Sequence, residues 1–595
     1  MSGTHTHEII TEDLPRWDLS DFYHSPEDSK LQTDMESLQK DVKAFVQKQG
    51  TIKNRLSELY DDLMIFQDIA QRSSKLSSYS YLNFATQMTN EKAKAFEQKV
   101  SEFQTSLWTD LIFFTHEIQE LSDEDMEKAY ASNAALKTYK PWLDHTRVYK
   151  DHMLELPQEQ ILVQKDLTSS AAWVRLYDQT LAEMMFKDHK GVSLNLSQVL
   201  ERMSDPEAAV RQEAAELLSQ ELSSKKSLLT LIFNTLLKDK EINDNLRRYP
   251  SPWTSRHLAN QIEEEVVDAL VATVKDNYDV CHRYYAWKAK QFGVKRLEYW
   301  DRNAPLSHAA DPKTSWDDAK KIVFEAYHAF CPKIAAIGKK FFDHDWIDVP
   351  AYAGKTSGAF SHPTTPDVHP YLMLNFIGKR RDVMTLAHEL GHGVHQYLSN
   401  AQPYLLTHTP LTVAETASVF GEMLAFRSML SKAKTKDEKR SLLAGKIEDM
   451  INTVFRQISF HEFEVFLHTK RKEGELSYDD FTKAWEKTQR EALGDAVHLH
   501  PLSHNFWGYI SHFLHVPFYV YAYAFGDCLV NSLYSVYLSK TVPDFQERYV
   551  HLLSQGGSQT YDNLLKPFGL DPKNKSFWQG GIDVIKELLG ELEAL

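Results

Sequence analysis

Long helix-patterned stretches limit what this chain can fold into more than any single motif does. The segments near 29–49, 52–72, 91–121, 205–245, 258–292, 315–341 and 436–472 are rich in Ala, Leu, Glu, Lys and Gln and hold few breakers. That composition favours helices, whose stripes must then pack on one another. Strand-like writing is confined mainly to 297–301, 347–353, 357–361 and 369–376, runs too short for a large sheet. The expected class is therefore mainly α, with a small β-sheet. At 595 residues the chain has length for large cores and more than one lobe. No Pro-, Gly- or Ser-rich linker, low-complexity run or internal repeat marks a boundary, and a soft division near residue 200 separates 1–200 from 201–595.

One of the strand-like runs leads into the segment that states a chemistry. Residues 387–395 read Ala-His-Glu-Leu-Gly-His-Gly-Val-His. On a helix each residue turns about 100°, so His388 and His392 lie within about 40° of one another. Two imidazoles placed side by side can grip one zinc ion, with Glu389 beside them as a base. Arg381–Ala387 is free of Gly and Pro, and Val383, Leu386, Ala387 and Leu390 form an apolar stripe, so this helix is expected to be half buried. His395 shares the histidine face but lies about 10.5 Å along the axis from His388, too far for the same ion. The third ligand has to come from another segment. Glu415 is the best candidate, in a second periodic, Ala-rich helix that follows the turn-prone Thr407-His408-Thr409-Pro410. Glu422, seven residues on, shares its face. It orients a zinc-bound histidine through the free ring nitrogen, or it is a core-edge carboxylate satisfied by a backbone or arginine partner; both readings stand.

His369–Phe376 directly precedes the metal helix. It offers either an exposed strand edge for an extended peptide or an ordinary small sheet that supports the helix. Gly354, Gly358 and Gly378 suggest loops around it, and no Gly-rich nucleotide fingerprint occurs. The formal charge of −16, from 67 basic against 83 acidic residues, disfavours binding to nucleic-acid phosphates. Cys281, Cys331 and Cys528 are scattered and odd in number, which argues against a disulfide framework and for buried small hydrophobes. Met1–Glu8 lacks a basic start with an apolar core, so no secretory signal is expected and a cytoplasmic protein fits. His5 and His7 read as a tail. Residues 506–526 carry no charged side chain and match a bilayer in length. His512, His515, Ser511, Pro517, Gly508 and four tyrosines make them too polar for a lipid-facing helix, and no membrane partner is expected.

His388-Glu389-Leu390-Gly391-His392, followed by Glu415-Thr416-Ala417-Ser418-Val419-Phe420-Gly421-Glu422, resembles the thimet oligopeptidase superfamily of zinc metallopeptidases, specifically its bacterial branch, oligoendopeptidase F. Leu411 and Thr412 occupy the positions where aminopeptidase-like and thermolysin-like patterns would place their glutamate. Pro15–Tyr23, Arg248–Pro252, Tyr299–Leu306, His512-Phe513 and Phe518–Ala524 are similar to other stretches of the branch, so the likeness runs from about residue 15 to the end.

The resemblance implies an elongated, two-lobed helical body with a deep substrate channel. Residues 1–200 would form part of its wall, and 201–595 the catalytic region. It implies one Zn2+ per chain on His388, His392 and Glu415, Glu389 as general base, and a histidine with nearby tyrosines donating to the reacting carbonyl. His512, Tyr519 and Tyr523 fall at intervals of seven and four, on one helical face if the helix continues through Pro517; Tyr521 points elsewhere. The implied activity is hydrolysis of internal bonds in short peptides, which are the expected partners. A zinc exopeptidase, either a dipeptidyl carboxypeptidase or a carboxypeptidase, is the alternative. A non-catalytic peptide binder with a structural zinc is a third reading, and Glu389 argues against it because a closed structural site does not require a base.

Overall fold

Apolar spacing and capping set the helices. In α1 (Ser29–Val46) the buried residues Leu31, Met35, Leu38, Val42 and Phe45 recur at intervals of four and three, the stripe of a helix that buries one face. The Asp28 side chain accepts from Lys30 N at its start, and Asn90 does the same for the helix that begins at Glu91, satisfying donors that a helix start leaves orphaned. The computed structural model describes residues 14–306 and 313–595. His5 and His7 lie outside them.

The chain divides into two compact units, each assembled from three stretches. Unit 1 takes Met1–Lys150, Asp311–Lys432 and Lys540–Gly569. Here α1 packs with α2 (Leu59–Ala85) and α3 (Glu91–Glu120) around aromatic side chains; the rings of Phe66 and Phe114 lie 4.9 Å apart, and those of Phe45 and Phe114 5.2 Å. Further along come α4 (Trp316–Phe330), a second helix Pro332–Asp343, strands β1 (Ile347–Pro350), β2 (Phe360–His362) and β3 (Tyr371–Phe376), then α5 (Arg380–Ser399) and α6 (Thr416–Lys432). The strands form one sheet in the order β1-β3-β2. β1 runs parallel to β3, with Ile347 opposite Leu372, and β2 runs antiparallel, with Ser361 opposite Leu372.

β3 is thus the central strand, and Tyr371, Leu372, Met373 and Leu374 are all buried. The run is paired on both sides, so of its two readings the ordinary sheet that supports α5 is the one seen. Ser361 of β2 donates to Gln396 of α5 at 2.7 Å, which ties the helix to the sheet edge.

Unit 2 takes Asp151–Ala310, Ala433–Ser539 and Leu570–Leu595. Its helices include α7 (Arg456–Arg471), α8 (Tyr521–Ser539) and α9 (Lys575–Glu593). Several stretches that read as single helices are broken. The 315–341 segment divides at Cys331, which is extended, before Pro332 opens the next helix, because proline disfavours a helical residue ahead of it. The 205–245 and 258–292 stretches divide near Lys225 and Asn277. All three cysteines are buried and free. Among the described residues, no helix is long and apolar enough to cross a membrane.

Candidate active site

α5 carries the His-Glu-x-x-His pattern, and the buried face of the helix holds Val383, Leu386, Ala387 and Leu390, the stripe expected from sequence. The backbones of α5 and α6 meet closely at two glycines. A methyl group on Gly391 would stand 2.4 Å from the Ala417 carbonyl oxygen, and one on Gly421 would stand 2.0 Å from the Tyr327 hydroxyl. That hydroxyl, buried and carried by α4, donates to the Ala387 carbonyl at 2.6 Å, directly before His388. Tyr549, on the helix Phe545–Leu553, donates to the Thr416 carbonyl at 2.8 Å, directly after Glu415. Two buried phenols thereby fix the backbone on either side of the candidate ligands.

His388, His392 and Glu415 come together as the one group able to hold a metal ion among the described residues. His388 Nε2 lies 3.2 Å from His392 Nε2. Glu415 Oε2 lies 3.6 Å from the first and 3.4 Å from the second. Ligands at about 2.1 Å from a tetrahedral zinc stand about 3.4 Å from one another, so the three atoms fit that ion. Glu415 sits between the short helix Leu411–Ala414 and α6, and Ser418 donates to its Oε2 at 2.7 Å.

Glu422 lies 2.6 Å from His388 Nδ1, the contact that the orienting reading requires. The Glu422 contact turns His388 Nε2 toward His392 Nε2, the arrangement in which two imidazoles can share one cation. Burial works against charge on His388, yet the hydrogen bond and charge of Glu422, with the charges of Glu415 and Glu389, push its pKa up to about 9. Burial raises the Glu415 carboxyl, but the hydrogen bond and charge of His392, with the charge of His388, take it down to about 2. Glu415 is therefore a carboxylate. Glu389 is 7% exposed; burial raises its pKa, the charges of His388 and His392 oppose that rise, and those of Glu415 and Glu422 add to it. A carboxyl so placed is suited to taking up and giving back a proton.

His395 stays out of the group, as its distance along the helix demands. It is buried, and its Nε2 lies 3.4 Å from Thr409 Oγ1.

His512, Tyr519 and Tyr523 belong to unit 2, and the helix expected through them does not run on. A short helix ends at His515, Phe518 takes a left-handed backbone with φ of 58°, and α8 starts at Tyr521. A continuous helix would separate His512 from Tyr523 by about 16 Å along its axis. The bend instead brings His512 Nε2 within 3.2 Å of the Tyr523 hydroxyl, with the Tyr519 and Tyr523 rings 5.3 Å apart. Tyr521 is fully buried, its hydroxyl 2.9 Å from His257 Nδ1 and 2.8 Å from Asn260 Nδ2, so it does point elsewhere. Sequence patterning assigns no role to Tyr327, Ser418 or Tyr549. Tyr327 and Tyr549 lie far from the motif along the chain and carry no spacing signal, while Ser418, three residues after Glu415, stood within reach of a turn-based argument.

Residues 202–584 match the family described as Peptidase family M3, and residues 117–186 match the one described as Oligopeptidase F. Oligopeptidase PepF of Bacillus subtilis is 24% identical over 99% of this chain and 88% of its own. Group B oligopeptidase PepB of Streptococcus agalactiae is 25% identical over 100% and 99%. Among solved structures, oligoendopeptidase-F from Enterococcus faecium superposes with a TM-score of 0.71 at 20% identity, covering 95% of this chain and 98% of that one. A candidate peptidase from Chlamydophila abortus does so with a TM-score of 0.86 at 23% identity, covering 97% and 98%. These two likenesses show a shared fold.

Proposed function

The chain belongs to peptidase family M3, as an endopeptidase of the oligoendopeptidase F type, and from that premise we propose that it cuts internal bonds of short oligopeptides with zinc on His388, His392 and Glu415 and with Glu389 as general base. One observation carries the reading: two histidine Nε2 atoms and a carboxylate oxygen face one another at 3.2, 3.4 and 3.6 Å, while the other nitrogen of His388 is taken by Glu422. A zinc ion bound there would act as a Lewis acid and acidify a water molecule.

The residues do the rest. Glu389 accepts a proton from the attacking water as the oxygen joins the peptide carbon, and returns it to the leaving nitrogen as the C–N bond breaks. Glu422 keeps the His388 ring oriented and its Nδ1 proton occupied. The role of His512, Tyr519 and Tyr523 as hydrogen-bond donors to the carbonyl oxygen, where negative charge develops, rests on the resemblance of their segment to the family pattern. Short peptides as partners and a cytoplasmic setting complete the reading, and a net charge of −16 disfavours nucleic acid in their place.

The test is an internally quenched peptide of roughly eight residues, long enough to lie extended across a site, blocked at both termini. Internal cuts that stop on chelation and return with zinc are expected, read by mass spectrometry. Cutting only after the C-terminus is freed would favour the exopeptidase, and cutting untouched by chelation would remove the metal mechanism.

A further inference from the structure

The bend that brings His512 to Tyr523 turns at Val516–Tyr519, where Tyr519 N–H donates to the Val516 carbonyl at 3.0 Å and Pro517 holds the second position, one it favours in turns. Phe518 is a bulky residue in a left-handed backbone, φ 58°, a conformation that such side chains rarely adopt. Its ring is buried against Trp253, His461 and His468, with centroids at 5.9, 6.0 and 4.7 Å. A cleft of about 560 Å³, lined in part by Lys240, Asp244, His468, Phe513, Leu514 and Pro517, lies beside the bend. Two side chains from other helices brace it there. The Phe518 N–H donates to Glu464 Oε1 at 2.8 Å. One residue earlier, Arg256 Nε donates to the Pro517 carbonyl at 3.2 Å, and its guanidinium lies 5.7 Å from the Tyr519 ring.

Glu464, on α7, is 1% exposed, and its second oxygen, Oε2, has no hydrogen-bond partner. A buried carboxyl with one oxygen unmatched is costly to keep, and a leucine would fill the same space without that cost. We propose that Glu464 is a positioning residue for peptide hydrolysis: it holds the Val516–Val520 bend through the Phe518 N–H and so sets the His512–Tyr523 pair. This rests on the reading of that pair as donors to the reacting carbonyl. Burial drives the Glu464 carboxyl up to about 8, against the Phe518 hydrogen bond and the charges of Arg256 and Lys240, so a neutral amide can stand in for it.

The test measures kcat, KM, bound metal and melting temperature of the full chain for Glu464→Leu, Glu464→Gln, Tyr523→Phe, His512→Ala and the double variant Glu464→Leu/Tyr523→Phe. Glu464→Leu is expected to lower kcat about 10- to 100-fold, the order a misplaced group costs, with KM within about twofold and metal content unchanged. Glu464→Gln keeps an acceptor for Phe518 N–H and is expected to restore kcat to within a few-fold. In the double variant the two losses overlap instead of multiplying, because both act through one group. If Tyr523→Phe lowers kcat and Glu464→Leu does not, the positioning role is overturned while the reading of the pair survives. If Tyr523→Phe and His512→Ala both leave kcat intact, the reading of the pair fails and takes the positioning role with it. Should the leucine variant melt early, Glu464→Met, closer in length, replaces it under the same criteria.

Discussion

His388 uses both of its nitrogens, and the division of labour between them is where the account can be tested at the scale of one residue. Nδ1 faces Glu422 at 2.6 Å, which leaves Nε2 for the proposed metal. Glu422→Ala should therefore weaken zinc affinity by about 10- to 100-fold, the usual cost of losing a partner behind a ligating histidine, as read by competition with a chromophoric chelator. An unchanged affinity would make Glu422 a bystander. The positions of His388, His392, Glu389 and Glu415 were legible because the chemistry demands a fixed spacing on a helix and few carboxylates lie nearby in sequence. The Tyr327 and Tyr549 phenols were not, since each reaches the site through a tertiary contact that local sequence does not encode.

Between elements, the candidate ligands depend on how closely α5 and α6 approach. Gly391→Ala would set a methyl 2.4 Å from the Ala417 carbonyl oxygen, and backbone cannot yield as a side chain tip does. The expected cost is about 1–3 kcal/mol, with loss of bound zinc as Glu415 is displaced from the histidines. Gly445→Ala, on the helix Lys436–Met450, meets nothing within 4 Å and should be neutral or stabilise by up to about 1 kcal/mol. Melting curves and metal content of the two variants check this, and equal behaviour would contradict the packing argument. The periodic stripe of α5 was visible in sequence. The interruption between His515 and Tyr521 was visible only as a proline; the left-handed Phe518 could not be read from residue type because that place in the turn favours glycine, and a bulky residue there is held by its surroundings, Glu464 and Arg256 among them.

Across the whole molecule, buried titratable groups make stability depend on pH. Burial takes His257 down to about 4 and His461 and His468 down to about 3. Unfolded, each has a pKa near 6.5 and binds a proton that the folded state refuses, so their contribution is present above about pH 6.5 and is lost as pH falls toward 4 and 3. Glu464, raised to about 8, acts in the opposite sense: its contribution is complete below about 4.5 and is lost as pH rises through 8. The melting temperature should fall on acidification below about pH 6.5, and His468→Leu should flatten that limb; parallel slopes for the two proteins would contradict it. Helical class was legible at this scale from composition and periodicity alone. The assembly of each unit from three separate stretches was not, because those contacts join residues hundreds of positions apart and no linker composition marks the crossings. The most direct test of the whole account is Glu389→Gln, assayed for bound zinc and for turnover of the blocked peptide. One zinc per chain with turnover reduced by about 10²–10⁴-fold is the predicted result, and wild-type turnover would contradict the proposed chemistry.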